Sequence, residues 1–336
     1  MIRINFFIRI RTFGTRNLFE KIKFKEWKLI KHHALVLGVD EVFIMELTKY
    51  EIQIGFNKTP FKISGIEFRP SHRIKIENAG FTKKISATIQ HYKRVFFENI
   101  ILRSPSIHEI FILNDPKGSE ILNKYYSTNI FRCTVDPVYD YEKPDASSMP
   151  YWIKRNNRKV VYTIFGALDW RKNIKNIFEA FTLLDKQIHQ HIELLIIGKI
   201  PEYFADEFEL RVNMFIRDNP DIELVLINEF VSDSHMEYYF CNTDVSLVVY
   251  PKFYGSSGLL GRAAKYNSIS LVPNVGLMAE LCEDYKLGYL CDPYSPTDIS
   301  LKIFKAFNDI LNGERIDGTS FYREHSPELF LNQLNF

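Results

Sequence analysis

The sequence predicts an α/β protein of two Rossmann-like lobes, each a parallel sheet wound with helices. Three observations carry this. At 336 residues the chain is long enough for two domains that each bury a core. From about residue 159 short β-branched runs alternate with longer stretches of helical period, the pattern of parallel strands joined by helical crossovers. Before that point a looser alternation of the same kind runs from residue 2 to residue 134.

In the first half, strands are expected at Ile2 to Ile10, Val42 to Leu47, Glu109 to Leu113 and Ile130 to Thr134. Helical stretches fall near 16 to 36, 84 to 102 and 117 to 126, and Ile52 to Phe68 reads as irregular or extended structure around Ser64 and Gly65. Pro137, Pro144 and Pro150 among polar residues mark 136 to 158 as a linker. In the second half the strands are Val160 to Phe165, Glu193 to Gly198, Glu223 to Ile227, Val245 to Tyr250, Ile269 to Val272 and Gly288 to Cys291. Helices lie between them, the first from Ile174 to Gln190 with Ile174, Ile177, Phe178, Phe181, Leu184 and Ile188 on one stripe. Asp298 to Leu311 adds a longer helix, and Ser326-Pro327 starts a terminal one. The domains expected are residues 1–150, an acceptor-side lobe with its linker, 151–320, a ligand-binding lobe, and 321–336, a helix crossing back to the first lobe.

Composition excludes several classes. Hydrophobic residues at 46% and charged residues at 25% are globular values, against disorder and fibrous structure. Cys133, Cys241, Cys282 and Cys291 have no CxxC spacing, so no zinc site is indicated and a reducing cytoplasm suits them. No apolar run approaches the roughly 20 residues of a spanning helix. Residues 1–104 hold 20 Lys and Arg against 9 Asp and Glu, while the remainder holds 23 against 32. The basic first half reads either as a solvated surface or as one drawn to anionic lipid headgroups, on the inner face of the cell membrane. No nucleic-acid-binding motif accompanies the charge.

Two loops carry chemistry. In Gly166-Ala167-Leu168-Asp169-Trp170-Arg171-Lys172-Asn173 a glycine after a strand leaves room for a ligand, and two cations at a helix start suit a diphosphate. As exposed cations there they oppose the helix dipole unless an anion is present. In Tyr254-Gly255-Ser256-Ser257-Gly258 small residues leave amides and hydroxyls for phosphate at the next helix, although such a turn is equally a plain cap.

In this order, GALDWRKNIKNIFEAFTLL, IELLIIGK, FVSDSHMEYYFCNTDVSLVVYP, GSSGLLGRAA and VGLMAELCEDYKLGYLCDP resemble the C-terminal lobe of GT-B glycosyltransferases grouped as family 4. The resemblance covers about 158 to 311 and extends to Val135-Asp136-Pro137-Val138 and the Phe330 region. It implies two lobes facing across a cleft and retaining transfer of a hexose from a nucleotide-diphosphate sugar to a growing glycan or lipid-linked acceptor, as in surface polysaccharide or lipopolysaccharide synthesis. By position it puts Gly166, Arg171, Lys172, Ser256, Ser257 and Gly258 around the donor diphosphate, and Phe230 and Val231 at the nucleobase. Such a site neutralises the departing diphosphate without a metal or other cofactor.

One departure stands out. The family's two glutamates, eight positions apart, fall on Tyr254 and Arg262, or on Gly255 and Ala263 if the register slips by one. Neither register supplies an acid, so a catalytically inactive pseudo-glycosyltransferase acting as a binding or scaffold protein is the rival reading. A NAD enzyme is disfavoured, because no GxGxxG follows a strand. On the acceptor side His72, in the loop Arg69-Pro70-Ser71-His72-Arg73, is the catalytic candidate, with His32, His33 and His91 behind it and Lys62 to Ile66 as a cleft-lining loop. Each reads equally as an ordinary surface feature.

Overall fold

The computed structural model describes residues 16–68, 70–73, 81–149, 152, 159–253 and 255–334. The expected strand Ile2 to Ile10 lies outside them. The chain divides into two compact units, one of residues 1–112 and 116–133, the other of residues 113–115 and 134–336.

In the first unit the elements are α1 (Arg16–Leu37), β1 (Glu41–Ile44), α2 (Glu51–Phe56), β2 (Lys62–Ile66), α3 (Phe81–Leu102), β3 (Ile107–Leu113), α4 (Pro116–Tyr126) and β4 (Phe131–Thr134). The sheet runs in the order β1-β2-β3-β4. β1 with β2 and β2 with β3 pair in parallel. Trp27, Leu47, Ile54, Ile63 and Phe131 form its core.

The stretch expected to be irregular or extended, Ile52 to Phe68, holds the end of a short helix, which was not expected, and an extended segment that is an interior strand. Gly65 sits inside that strand for a steric reason. A Cβ built there would lie 2.1 Å from the Ile44 carbonyl oxygen and 2.8 Å from Leu47 Cγ, so glycine admits the β1 backbone rather than breaking the strand. Ser64 beside it donates its hydroxyl to Glu41.

The second unit contains β5 (Val160–Phe165), α5 (Ile174–Thr182), α6 (Lys186–His189), β6 (Ile192–Ile197), α7 (Ala205–Asp218), β7 (Glu223–Ile227), α8 (Asp233–Cys241) and β8 (Val245–Leu247). It continues with α9 (Gly258–Lys265), β9 (Ile269–Pro273), α10 (Leu277–Asp284), β10 (Gly288–Cys291), α11 (Pro296–Leu311), α12 (Thr319–Glu324) and α13 (Pro327–Gln333). The helix expected over Ile174 to Gln190 is two helices. Asp185 divides them, accepting from Gln187 N at 2.9 Å as the cap of α6. β5 and β6 are buried along nearly their whole length, as a parallel sheet covered on both faces requires.

The strand order is β10-β9-β8-β5-β6-β7. From β5 the chain winds outward through β6 and β7, then returns to the other side of β5 and winds through β8, β9 and β10. The order therefore reverses between β5 and β8, which are direct neighbours. In open α/β sheets ligands bind outside the carboxyl ends of the strands at such a switch point. The terminal helix α13, capped by Ser326, clusters with this unit; Gln333 Oε1 accepts from Thr134 Oγ1 at 3.0 Å and from Val135 N at 2.9 Å.

Candidate functional site

Both chemistry-bearing loops leave the sheet at the switch point, one after β5 and the other after β8. The first turns on Gly166, whose φ is 109°, a conformation that favours glycine. Asp169 then caps a single 3-10 turn, Trp170–Lys172, by accepting from Arg171 N at 3.0 Å. Asn173 follows in the left-handed region at φ 56°, its Nδ2 bonded to the Pro293 carbonyl at 2.6 Å, and α5 begins only after it. The two cations therefore stand on a turn preceding the helix, not on its first residues.

They also differ from each other. Arg171 is half exposed and lies against Asp169, with Nε at 2.9 Å from Oδ1 and a terminal nitrogen at 2.7 Å from Oδ2. Burial alone would raise the Asp169 carboxyl, but the hydrogen bonds from Arg171 hold it below the usual range. Lys172 is buried, contrary to the exposed cation expected from sequence. Its Nζ donates to Tyr250 Oη at 2.7 Å and stands 4.4 Å from the centre of that ring. Among the described residues no carboxylate lies within ion-pair distance of it. Burial first, and the Arg171 charge second, push its ammonium down to about 7, with Asp169 opposing. Gly166 faces it closely: a Cβ there would sit 3.0 Å from Nζ.

In the second loop the two serines have separate tasks. The Ser257 side chain lies beside the Tyr250 hydroxyl. It caps α9 by position, yet its side chain makes no cap bond to the helix. Gly258 opens α9 with nothing within 4 Å of where a Cβ would stand. Ser256 faces elsewhere, donating to Asp136 Oδ2 at 2.9 Å and accepting from Asn114 Nδ2 at 3.1 Å. Its proton is used to fasten the loop to residues 114 and 136, and burial raises the Asp136 carboxyl. Gly166, Lys172 and Ser257 are thus brought together through Tyr250, with Gly258 following Ser257 at the α9 start.

Tyr254 lies outside the described residues. Arg262 does not replace an acid in open space: it is buried and paired with the fully buried Glu237, and its guanidinium carbon lies 4.9 Å from the Tyr141 ring centre. Lys265 Nζ reaches the same carboxylate at 2.8 Å, and the Tyr266 hydroxyl also donates to it. The expected nucleobase pair is split, Phe230 being exposed and Val231 packed in the core with Tyr238 and Tyr239. In the first unit His72 is half-buried on a 3-10 turn held by Glu98, which accepts from Ser71 N at 2.7 Å. His91 Nδ1 lies 3.1 Å from the Ser71 carbonyl, and His32 and His33 are exposed on α1. Lys62 to Ile66 is the strand β2, not a loop. Tyr250 was missed by sequence reasoning, although Tyr250-Pro251 directly before a Gly/Ser turn was a usable signal.

No group of three or more metal-ligating side chains occurs among the described residues, and none of their helices is long and apolar enough to cross a membrane.

Residues 152–316 match the family described as Glycosyl transferases group 1. No curated protein sequence matches the chain. Among solved structures it is similar to sucrose-phosphate synthase from Thermosynechococcus elongatus, at 14% identity and TM-score 0.66, covering 96% of this chain and 78% of that one. It is similar to WaaG, a glycosyltransferase involved in lipopolysaccharide biosynthesis, at 14% identity and TM-score 0.62, covering 98% and 84%. A third is Anabaena HepE in complex with UDP and glucose, at 10% identity and TM-score 0.60, covering 95% and 80%. At these identities the likeness is one of fold.

Proposed function

With residues 152–316 belonging to glycosyl transferases group 1 and the fold being GT-B, we propose that the chain is a retaining hexosyltransferase. It moves a hexose from a nucleotide-diphosphate sugar to a growing glycan or lipid-linked acceptor of the surface polysaccharide or lipopolysaccharide kind. The observation that carries the reading is the uncompensated Lys172 ammonium, held beside Ser257 at the sheet's switch point. A buried cation without a carboxylate is costly unless an anion completes it.

In transfer, the bond from the anomeric carbon to the β-phosphate oxygen breaks with its electron pair leaving on the diphosphate. A bond from the anomeric carbon to an acceptor hydroxyl oxygen forms, and the hydroxyl's proton passes to the departing diphosphate. Arg171 and Lys172 stabilise the charge that grows on the leaving diphosphate, while the amides opening α9 and the Ser257 hydroxyl donate to it. Gly166 leaves room for the phosphate to approach. This chemistry needs no metal or cofactor. The Ser256 hydroxyl holds the loop through Asp136, so its contribution to the diphosphate is its backbone amide.

The acceptor side belongs to the first unit, where His72 remains the candidate beside the reacting hydroxyl. Peripheral binding to the cytoplasmic face of a membrane fits that unit. Ile85, Ile89, Tyr92 and Phe96 form an exposed apolar stripe along α3, and Lys25 and Lys28 are exposed on α1.

A catalytically inactive pseudo-glycosyltransferase is the second reading, favoured by Arg262 being locked to Glu237 where the family carries an acid. Calorimetry with UDP, GDP and ADP, followed by release of sugar from the donor that binds, separates the two. UDP-glucose is the first donor to try, since HepE is described with UDP and glucose. Binding with sugar release supports the enzyme, binding without release the inactive protein, and no binding of any nucleotide removes the enzyme and leaves the scaffold reading ahead.

A further inference from the structure

We propose that Tyr250 is a positioning residue that joins the two phosphate loops by holding Lys172, and that donor binding is a proton-uptake step at that buried lysine. The inference rests on the donor-site reading above. Tyr250 stands just beyond β8, where its ring is fixed in the core with Val248, Leu277 and Met278 and meets Phe253 edge-on at 5.6 Å. Among the described residues its hydroxyl is the one side-chain hydrogen-bond acceptor of Lys172 Nζ, at 2.7 Å, and Ser257 of the opposite loop lies beside that hydroxyl. A single buried hydroxyl thereby sets the position of the cation on one loop relative to the helix cap on the other.

The charged and titratable groups facing Lys172 are few. Arg171 and Asp169 belong to its own turn, and Asp169 is engaged with Arg171. Tyr250, from the segment after β8, brings no charge because burial raises its own ionisation further. Burial with no carboxylate beside it therefore makes this lysine give up its proton far more readily than an exposed one. An incoming diphosphate supplies the missing negative charge and favours the ammonium, so the amine takes one proton from solvent as the anion binds. No covalent step is involved.

The test is calorimetry of UDP binding to the full chain at pH 8, where UDP itself is fully ionised. It is repeated in Tris and in HEPES, whose ionisation enthalpies differ. The wild type is expected to take up a substantial fraction of one proton per UDP, and its affinity to fall by up to about tenfold per pH unit above pH 8. Lys172→Met should bind at least about tenfold more weakly, with no uptake at the protein and a flat pH profile. Tyr250→Phe keeps the ring in the core but removes the hydroxyl that accepts from Lys172 Nζ. It should melt near the wild-type temperature and shift the affinity–pH curve to lower pH, so that its loss of affinity is greater at pH 8 than at pH 6.5. A loss equal at all pH values would mean that Tyr250 is only structural and would overturn the proposal. UDP binding with the same heat in both buffers would overturn it while leaving the donor site standing. Failure of every nucleotide to bind would take down the donor reading, and this inference with it.

Discussion

The carbonyl oxygen of Gly166 occupies the space beside Gly198: a Cβ built on residue 198 would lie 1.8 Å from that oxygen. Gly198 is also at φ 144°. Two adjacent strands, β5 and β6, thus end in glycines that let their exit backbones touch, and the first cationic loop starts from that contact. Gly198→Ala meets backbone rather than a yielding side chain and adds a strained φ, so a loss of about 3–5 kcal/mol is expected. Chemical denaturation measures it. A loss below about 1 kcal/mol would show that the strand ends can separate without consequence.

Arg171 and Lys172 should respond oppositely in stability. Arg171→Ala removes a half-exposed cation, leaves folding little changed, and weakens nucleotide-diphosphate binding by about 1.5–3 kcal/mol, roughly ten- to a hundredfold. Calorimetry and a melting curve on the same sample report both quantities.

For Lys172 the linkage has a definite sign. Its folded-state value, about 7, lies below the ordinary 10.5, so between these pH values the unfolded chain binds the extra proton and stability rises with pH. Lys172→Met should therefore be at least as stable as wild type at pH 7, and the stability gain of the wild type between pH 7 and pH 10 should be smaller in the mutant. Parallel stability–pH curves for the two proteins would contradict the buried, uncompensated lysine.

Arg262→Met leaves the fully buried Glu237 with Lys265 and Tyr266 only. Breaking a buried pair from one side costs about 3–5 kcal/mol, and the two remaining partners should hold the loss to about 2–4 kcal/mol. Replacing Arg262 and Glu237 together by Met and Leu should recover most of it. A double mutant no better than the single would mean that the pairing is not what stabilises this part of the unit.

Vesicle partitioning tests the proposed membrane face. Binding should rise with the anionic lipid fraction and fall with salt, because charge attraction is screened over about 10 Å at 0.1 M. Ile89→Ser combined with Phe96→Ser should weaken it by removing two exposed side chains of the α3 stripe. Equal partitioning to neutral and anionic vesicles would leave the basic surface as plain solvated charge.

The second unit was largely legible because its strands are short, mostly apolar runs rich in Val, Ile and Leu, such as VVYTIF and IELLII, set between helices with an apolar stripe. Legibility failed where a residue's meaning depended on a distant neighbour. Gly65 looks like a loop residue until Ile44 is placed against it. Lys172 reads as a surface cation until Tyr250, 78 positions later, is folded over it. Ser256 and Ser257 are chemically identical in sequence, and only Asp136 and Asn114 separate the fastener from the residue that turns to the site. Arg262 was legible as the loss of an acid, but not as one end of an ion pair with Glu237.

That ion pair binds the histories of its members. A lineage carrying Arg262 cannot move to a glutamate there in one step, since the new carboxylate would be buried against Glu237; the acid on α8 must change first or simultaneously. Positions 237, 262 and 265 should therefore covary among close relatives, with an acid at 237 accompanying a base at 262. Sequences with glutamate at 262 should carry something uncharged or basic at 237. Homologues could then be sorted by residue 237 into those able to carry an acid at position 262 and those that, like this chain, hold a buried base there against Glu237.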